Sequence, residues 1–234
     1  MNHSTRLLAL VLALVVITAA GCNAPGTRNG AGANSNAGNA NNSASANAAA
    51  GGTAPTASDP QALDGLTQAI SAQLNARSFR ARLDSTFNNQ EVARTIEYVA
   101  PDRFRMAGDK EETIIIGNKA WSRQNAGAWQ ELPIDASRMI AAVRDPKIIE
   151  EIRRSAEVKL VGPDTLDAKP MTVYQYTLRN MMGTNMTSRS KAWVAVADNL
   201  PHRIETEADV NGQTSKATIT YFDYNADIKI DPPK

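Results

Sequence analysis

The chain has 234 residues, 25 Lys and Arg against 24 Asp and Glu, one Cys and two His. A formal charge of +1 leaves no basic excess for a nucleic-acid binder, so nucleic acid is excluded as a partner. One Cys forms neither an internal disulfide nor a Cys-based zinc site, and His3 and His202 are too few and too far apart for a His-cluster metal centre.

The chain begins with Met1 to Thr5, then Arg6, then eleven residues from Leu7 to Ile17 without a polar side chain. Thr18-Ala19-Ala20-Gly21-Cys22 follows. A positive start, a short apolar run and small residues predict a secretory signal over 1–21. The run is shorter than the roughly 20 residues that span a bilayer. The small residues ending at Cys22 resemble the bacterial lipoprotein lipobox, with Ala19 where Leu is more usual. The resemblance implies cleavage before Cys22 and acylation of Cys22 as the membrane anchor. Residue 23 is Asn. In proteobacterial lipoproteins an Asp there holds the protein at the inner membrane, so the resemblance implies an outer-membrane anchor facing the periplasm.

Asn23 to Ser58 holds 12 Ala, 8 Asn, 6 Gly, 4 Ser, 3 Thr, 2 Pro and Arg28, with no branched aliphatic or aromatic residue. Such a segment buries too little apolar surface to offset its ordering entropy. Residues 22–58 therefore read as a lipidated Cys and a flexible tether, about 30–35 Å in root-mean-square span. Without Arg6 and Arg28, the part from Asp59 onward carries 23 bases and 24 acids.

Residues 59–234 read as one domain. Asp59 caps a helix and Pro60 suits its first position. Leu63, Leu66, Ile70 and Leu74 recur at helical spacing. From Ser78 the period is two: Phe79, Ala81, Leu83, Ser85 and Phe87 alternate with polar residues. Val92 to Ala100, Arg103 to Ala107, Thr113 to Ile116, Ala120 to Gln124 and Ala128 to Leu132 follow as strands. Asn88-Asn89-Gln90, Pro101-Asp102, Gly108-Asp109-Lys110, Gly117-Asn118 and Asn125-Ala126-Gly127 are turn sequences, so this is an antiparallel meander. Met139, Ile140 and Val143 restore helical spacing, Asp145-Pro146 stops that helix, and Ile148, Ile149 and Ile152 belong to another. Val158 to Val161 is a strand, Gly162 to Pro170 a turn-rich stretch, and Thr172 to Leu178 a strand with Tyr174, Tyr176 and Leu178 on one face. Lys191 to Ala197, Arg203 to Val210, Ser215 to Tyr224 and a closing segment Asp227 to Pro233 complete a second strand block. Helix, sheet, helices, sheet is an α+β order with a large antiparallel sheet.

Several segments resemble the LolA/LolB lipoprotein-carrier superfamily. They are Ser78-Phe79-Arg80-Ala81, Pro101-Asp102-Arg103-Phe104-Arg105, Ile114 to Trp121, Lys191 to Val196 with Leu200 to Ile204, and Ile228 to Pro233. Gly127-Ala128-Trp129 is similar to the LppX/LprG lipoproteins. The resemblance implies an incomplete, half-open antiparallel β-barrel of about eleven strands around helices, with a hydrophobic cavity for acyl chains. Phe104, Trp121, Met139, Ile140, Val143 and Ile149 are the candidate lining. Pattern alone reads the same six as core packing. Two departures stand out. Ala100 occupies the position of the Arg that latches the LolA lid helix, and Ala107 to Glu112 is polar where LolB exposes an apolar loop.

Met181, Met182 and Met186 in the loop Asn180 to Ser188 read first as side chains folded onto the core, then as lipid contacts, then as a Cu(I) site. His202 reads as a solvated residue at a strand start. Glu111-Glu112, Glu150-Glu151 and Glu205/Glu207 read as ordinary exposed charge, and no catalytic motif occurs, so no enzyme activity and no cofactor or metal is expected. The expected function is an anchored envelope lipoprotein that binds lipid or lipoprotein acyl chains in trafficking to the outer membrane. The alternative is a stress sensor or assembly factor of the same fold that binds an envelope protein.

Overall fold

The computed structural model describes residues 58–87, 90–179, 186–210 and 213–234. Cys22, the signal, the tether before Ser58, Met181 and Met182 lie outside them.

The domain opens with α1 (Pro60–Asn75), entered as its sequence requires: Asp59 Oδ1 accepts from Gln61 N at 2.9 Å and Ala62 N at 3.3 Å. Six strands follow: β1 (Ser78–Phe87), β2 (Gln90–Val99), β3 (Arg103–Ala107), β4 (Glu111–Ile116), β5 (Lys119–Gln124) and β6 (Gln130–Glu131). Two short helices, α2 (Ser137–Arg144) and α3 (Lys147–Ser155), interrupt the sheet. Five strands close the chain: β7 (Ala156–Leu166), β8 (Lys169–Arg179), β9 (Met186–Ala195), β10 (Pro201–Val210) and β11 (Gln213–Phe222).

All eleven strands form one antiparallel sheet in the order β6-β5-β4-β3-β2-β1-β11-β10-β9-β8-β7. The first and last strands pair at the centre, and among the described residues β6 and β7 are the two edges. The sheet therefore does not close, as the half-open barrel reading requires. The helical insert α2–α3 connects those two edges in sequence. No helix of the described residues is long and apolar enough to cross a membrane.

Three segments differ from the sequence reading. Gly162 to Pro170 is mostly strand, because β7 runs to Leu166 and a tight turn at Asp167 and Ala168, both at positive φ, starts β8. The strand expected over Ala128–Leu132 shrinks to Gln130–Glu131. The closing segment is extended but not a sheet strand; Ile228 and Ile230 bury against Ile114 on the outer face of the sheet. Arg103 Nη1 donates to Ile230 O at 2.6 Å, and Ser78 Oγ to Ala226 O at 2.6 Å, fastening that strap.

The outer face carries a ladder of charges. Arg80 meets Asp223 and Glu97 at 2.8 Å each, Arg105 reaches Glu97 at 3.4 Å and Glu112 at 2.7 Å, and Arg123 Nε donates to Glu112 at 2.7 Å. Exposed pairs contribute little, but the Glu112 side chain is only 12% exposed. Glu112 is thus not the ordinary surface carboxylate its sequence suggests. Burial opposes its ionisation, yet Arg105 and Arg123 outweigh burial and hold its pKa below the usual 4.5. A carboxyl depressed in the folded state stabilises above its unfolded pKa, and that contribution fades as pH falls through the folded value. Glu112→Gln is therefore expected to cost about 2 kcal/mol at neutral pH. The gap between wild type and variant should narrow on acidification below about pH 4, measured by urea unfolding; a gap independent of pH would refute the assignment.

Candidate functional site: the concave face

Strand alternation and register place defined rows of side chains on the concave face. Phe79, Tyr98, Phe104, Ile115 and Ala120 are successive cross-strand partners from β1 to β5. The next row holds Tyr221, Ala81, Ile96 and Met106, and the next Ile204, Ile219, Leu83 and Arg94. Beyond these lies a row of small or polar residues between Tyr176 and Val92, namely Ser190, Thr206, Ala217 and Ser85.

Aromatic packing defines the first row. Tyr98 lies 5.1 Å from Phe79 and 4.8 Å from Phe104, centroid to centroid, and Phe79 lies 5.6 Å from Tyr221. Phe79, Ala81, Leu83, Ile96 and Tyr98 are buried, whereas Phe104, Met106, Ala217, Ile219 and Tyr221 are only half-buried. An apolar trough thus runs over β3, β2, β1 and β11.

The helices cover the two halves of this face differently. α1 presses on the β7–β10 side, where Ala62 and Leu66 join Ile152, Val158, Tyr176, Leu178 and Ala192. Its buried positions are Ala62, Leu66, Thr67 and Ala69, so the contact face is made largely of small residues, not of the Leu63–Leu74 stripe alone. At Gly65 the helix backbone lies so near Tyr174 that a Cβ would sit 2.3 Å from the phenol oxygen. Arg153 of α3 ties the helices together, meeting Asp64 at 2.7 Å and Thr67 Oγ1 at 2.9 Å. Burial pushes the Tyr176 phenol up to about 12, against a hydrogen bond with Ser190.

On the other half, Ile140 and Ala136 at α2 pack on Ile115 and Ala120, with Phe104 against them. Arg144, at the end of α2, stacks its guanidinium 4.2 Å over the Tyr98 ring. The same group donates to the Gln73 carbonyl at 3.2 Å and to the Leu74 carbonyl at the C-terminus of α1. The carbonyls at a helix C-terminus favour a cation there; Gln73 O also accepts from Ala76 N at 3.1 Å. Burial lowers the Arg144 pKa, with Tyr98 opposing the shift.

Of the six candidate lining residues, Phe104 of β3 and Ile140 of α2 come together between helix and sheet. Ile149 is half-buried on α3, while Ile148 and Ile152 pack toward α1. Met139 and Val143 lie on α2, with side chains outside those described. Trp121 stands apart. It pairs with Ile114, on the opposite face from Ala120 and Ile115, and packs beside Ile228 and Ile230. Because Ile114, Ile115 and Ile116 are all apolar, hydrophobicity could not tell which face of this hairpin turns inward. Sequence reasoning missed Met106, Ile219, Tyr221, Arg94 and Arg144 as parts of the site. Only the alignment of Met106 with Phe104 carried a signal, through period-two spacing.

His202 is not solvated as expected. Its side chain is 13% exposed, 3.5 Å from Asp198 and edge-on to Tyr224 at 5.8 Å. Packing on Tyr224, which lies far along the chain, is what covers it. A groove of about 410 Å³ lies on the sheet over β8 to β11, but Gln175, Arg189, Lys191, Glu205, Glu207 and Lys216 make it polar. Among the described residues no cluster of His, Cys, Asp or Glu could hold a metal ion.

No family model matches the chain, and no curated protein matches its sequence. Solved structures do match, among them a mycobacterial lipoprotein. The chain is similar in fold to mycobacterial LppX. LppX of Mycobacterium tuberculosis superposes with a TM-score of 0.57 over 74% of this chain and all of LppX, at 13% identity. LprF of Mycobacterium bovis gives 0.55 over 76% of this chain and 99% of LprF, at 12% identity. At such identities the likeness to LppX and LprF is one of fold, and it agrees with the open eleven-stranded sheet.

Proposed function

We propose that this protein is a lipid-anchored envelope protein that binds acyl chains on the concave face of its sheet, in lipid or lipoprotein trafficking to the outer membrane. The observation that carries the proposal is the trough of half-buried Phe104, Met106, Ile219 and Tyr221. A domain gains nothing from leaving contiguous apolar side chains partly uncovered on an inward face, so an apolar occupant is the reading they support. Each buried methylene contributes about 0.8 kcal/mol, so a sixteen-carbon chain gains roughly 10 kcal/mol before association costs. Such binding accommodates a domain that is nearly neutral overall. Phe104 and Ile140 would line the site, with Ile149, Met139 and Val143 on the covering helices; Trp121, on the outer face beside the strap, would not touch the chain.

Residues 1–21 would be the signal and Cys22 the acylated anchor, with the tether to residue 58 giving the domain reach from the membrane. That arrangement rests on the residues ending at Cys22 and on the composition of the segment after it; LppX, similar in fold, is itself a lipoprotein.

Native mass spectrometry of the full chain, with uptake of a fluorescent fatty acid, tests the binding. Co-purified lipid or stoichiometric uptake is expected, and the absence of both rejects the proposal. Cys22→Ser should abolish metabolic palmitate labelling; a label that persists removes Cys22 as the anchor.

A further inference from the structure

The trough contains a charge that apolar binding does not explain. Arg94 stands opposite fully buried Leu83 on the concave face, two residues before Ile96 in β2. Among the described residues on this face of β1 to β4 and β11, it is the only base. Its side chain is 14% exposed. A guanidinium at such a place loses hydration and needs compensating hydrogen bonds.

The compensation among the described residues is thin. One bond, from Nη2 to Glu111 Oε2, spans 3.3 Å. Glu111 begins β4, and its side chain is 39% exposed. Arg82 and Arg105 of the same half of the sheet are better held, whereas Arg179 of β8, with one bond to Glu157 at 3.3 Å, is exposed. Arg82 makes three bonds to Asp84, and Arg105 Nε meets Glu112 at 2.7 Å while its Nη1 reaches Glu97. A guanidinium carries five donors in a planar fork suited to a carboxylate or phosphate. Arg94 uses one of them on a loosely placed carboxylate that can swing into water. A ligand anion could replace that carboxylate like for like.

We propose that Arg94 receives the anionic end of the acyl ligand, with the chain laid over Met106, Ile219 and Tyr221. This rests on the acyl-chain reading above and adds the ligand class: a single-chain lipid ending in a carboxylate or phosphate. Glu111 is then the internal occupant that the ligand displaces. The nearby charges, Asp109 and Lys110, lie in the β3–β4 turn and are exposed.

The test uses the full chain in nanodiscs of zwitterionic lipid, with empty discs as baseline. A fluorescent fatty acid is displaced by palmitic acid, by hexadecyl phosphate or by hexadecanol. Wild type should prefer the two anions over the alcohol by about tenfold or more. Stronger displacement by the phosphate than by palmitic acid would mark a phosphate end group, and the reverse a free fatty acid. Arg94→Gln should bring the anions down to the alcohol while leaving the alcohol unchanged. Glu111→Gln, which leaves Arg94 in place, should strengthen anion binding several-fold. Equal displacement by anion and alcohol in wild type overturns the inference while acyl binding stands. A preference that survives Arg94→Gln, or no gain in Glu111→Gln, also overturns it. No binding of the fluorescent fatty acid at all defeats the acyl-chain reading itself.

Discussion

Arg144→Ala is expected to lower stability by about 2–4 kcal/mol, which for a domain of this size is a fall in melting temperature of about 5–15 °C. The side chain joins three elements: its own helix α2, the Tyr98 ring 4.2 Å beneath it, and the last carbonyls of α1. Removing it uncovers the Leu74 carbonyl and the ring face together, while the Gln73 carbonyl keeps the Ala76 N–H at 3.1 Å. Arg144→Lys keeps the charge but loses the planar fork, so it should recover only part of the loss. Hydrogen exchange gives the more specific readout. Protection should fall across Ser137–Arg144 and at the end of α1 while the β8–β10 ladder stays protected. A change under about 0.5 kcal/mol, or loss of protection spread evenly over the sheet, would refute a joint at this residue. The result also bears on access to the trough, because α2 packs over Phe104 and Ile115.

The second large effect concerns a glycine inside a helix. At an exposed helical site Gly→Ala stabilises by about 1 kcal/mol. At Gly65 the sign should reverse. A Cβ would lie 2.3 Å from the Tyr174 oxygen, 2.9 Å from Cζ and 3.1 Å from Cε1. The ring must shift or the helix must lift from the sheet, at a cost of about 1–3 kcal/mol in overpacking. Gly65→Ala alone is therefore expected to destabilise by about 1–2 kcal/mol. In a Tyr174→Ala background the obstacle is gone, and the same substitution should stabilise. A double-mutant cycle by urea unfolding should show a coupling of about 2–3 kcal/mol. Additive effects would mean that the helix does not sit on Tyr174.

The sequence announces neither residue. Gly65 falls inside a clear helical repeat, where nothing local distinguishes a tolerated glycine from one that permits close packing. The apolar stripe of α1 was legible, but Ala62, Thr67 and Ala69 were not, because hydrophobicity weighs large residues and close approach needs small ones. Nothing in the sequence singles out Arg144, because its partners Tyr98, Gln73 and Leu74 lie in other elements. The absence of an Arg at position 100 argued against a LolA-type latch. Arg144 instead fastens α2 to α1 from the helix side.

Local rules were enough for much of this protein. Period-two alternation marked β1, β2, β3 and β8, and turn chemistry separated β3, β4 and β5. Asp59 and Pro60 marked the start of α1, and Asp145-Pro146 the break between α2 and α3. Each of these depends on contacts within a few residues, which the chain carries wherever it folds. Other features depended on pairing across the sheet. Trp121 faces the closing strap because register turned Ala120 inward. His202 is covered because Tyr224 returns to it after the β10–β11 hairpin. Arg94 lies among apolar neighbours because β1 aligns Leu83 with it. A strand carries its alternation alone, but only its neighbours and the helices above decide which face becomes the inside.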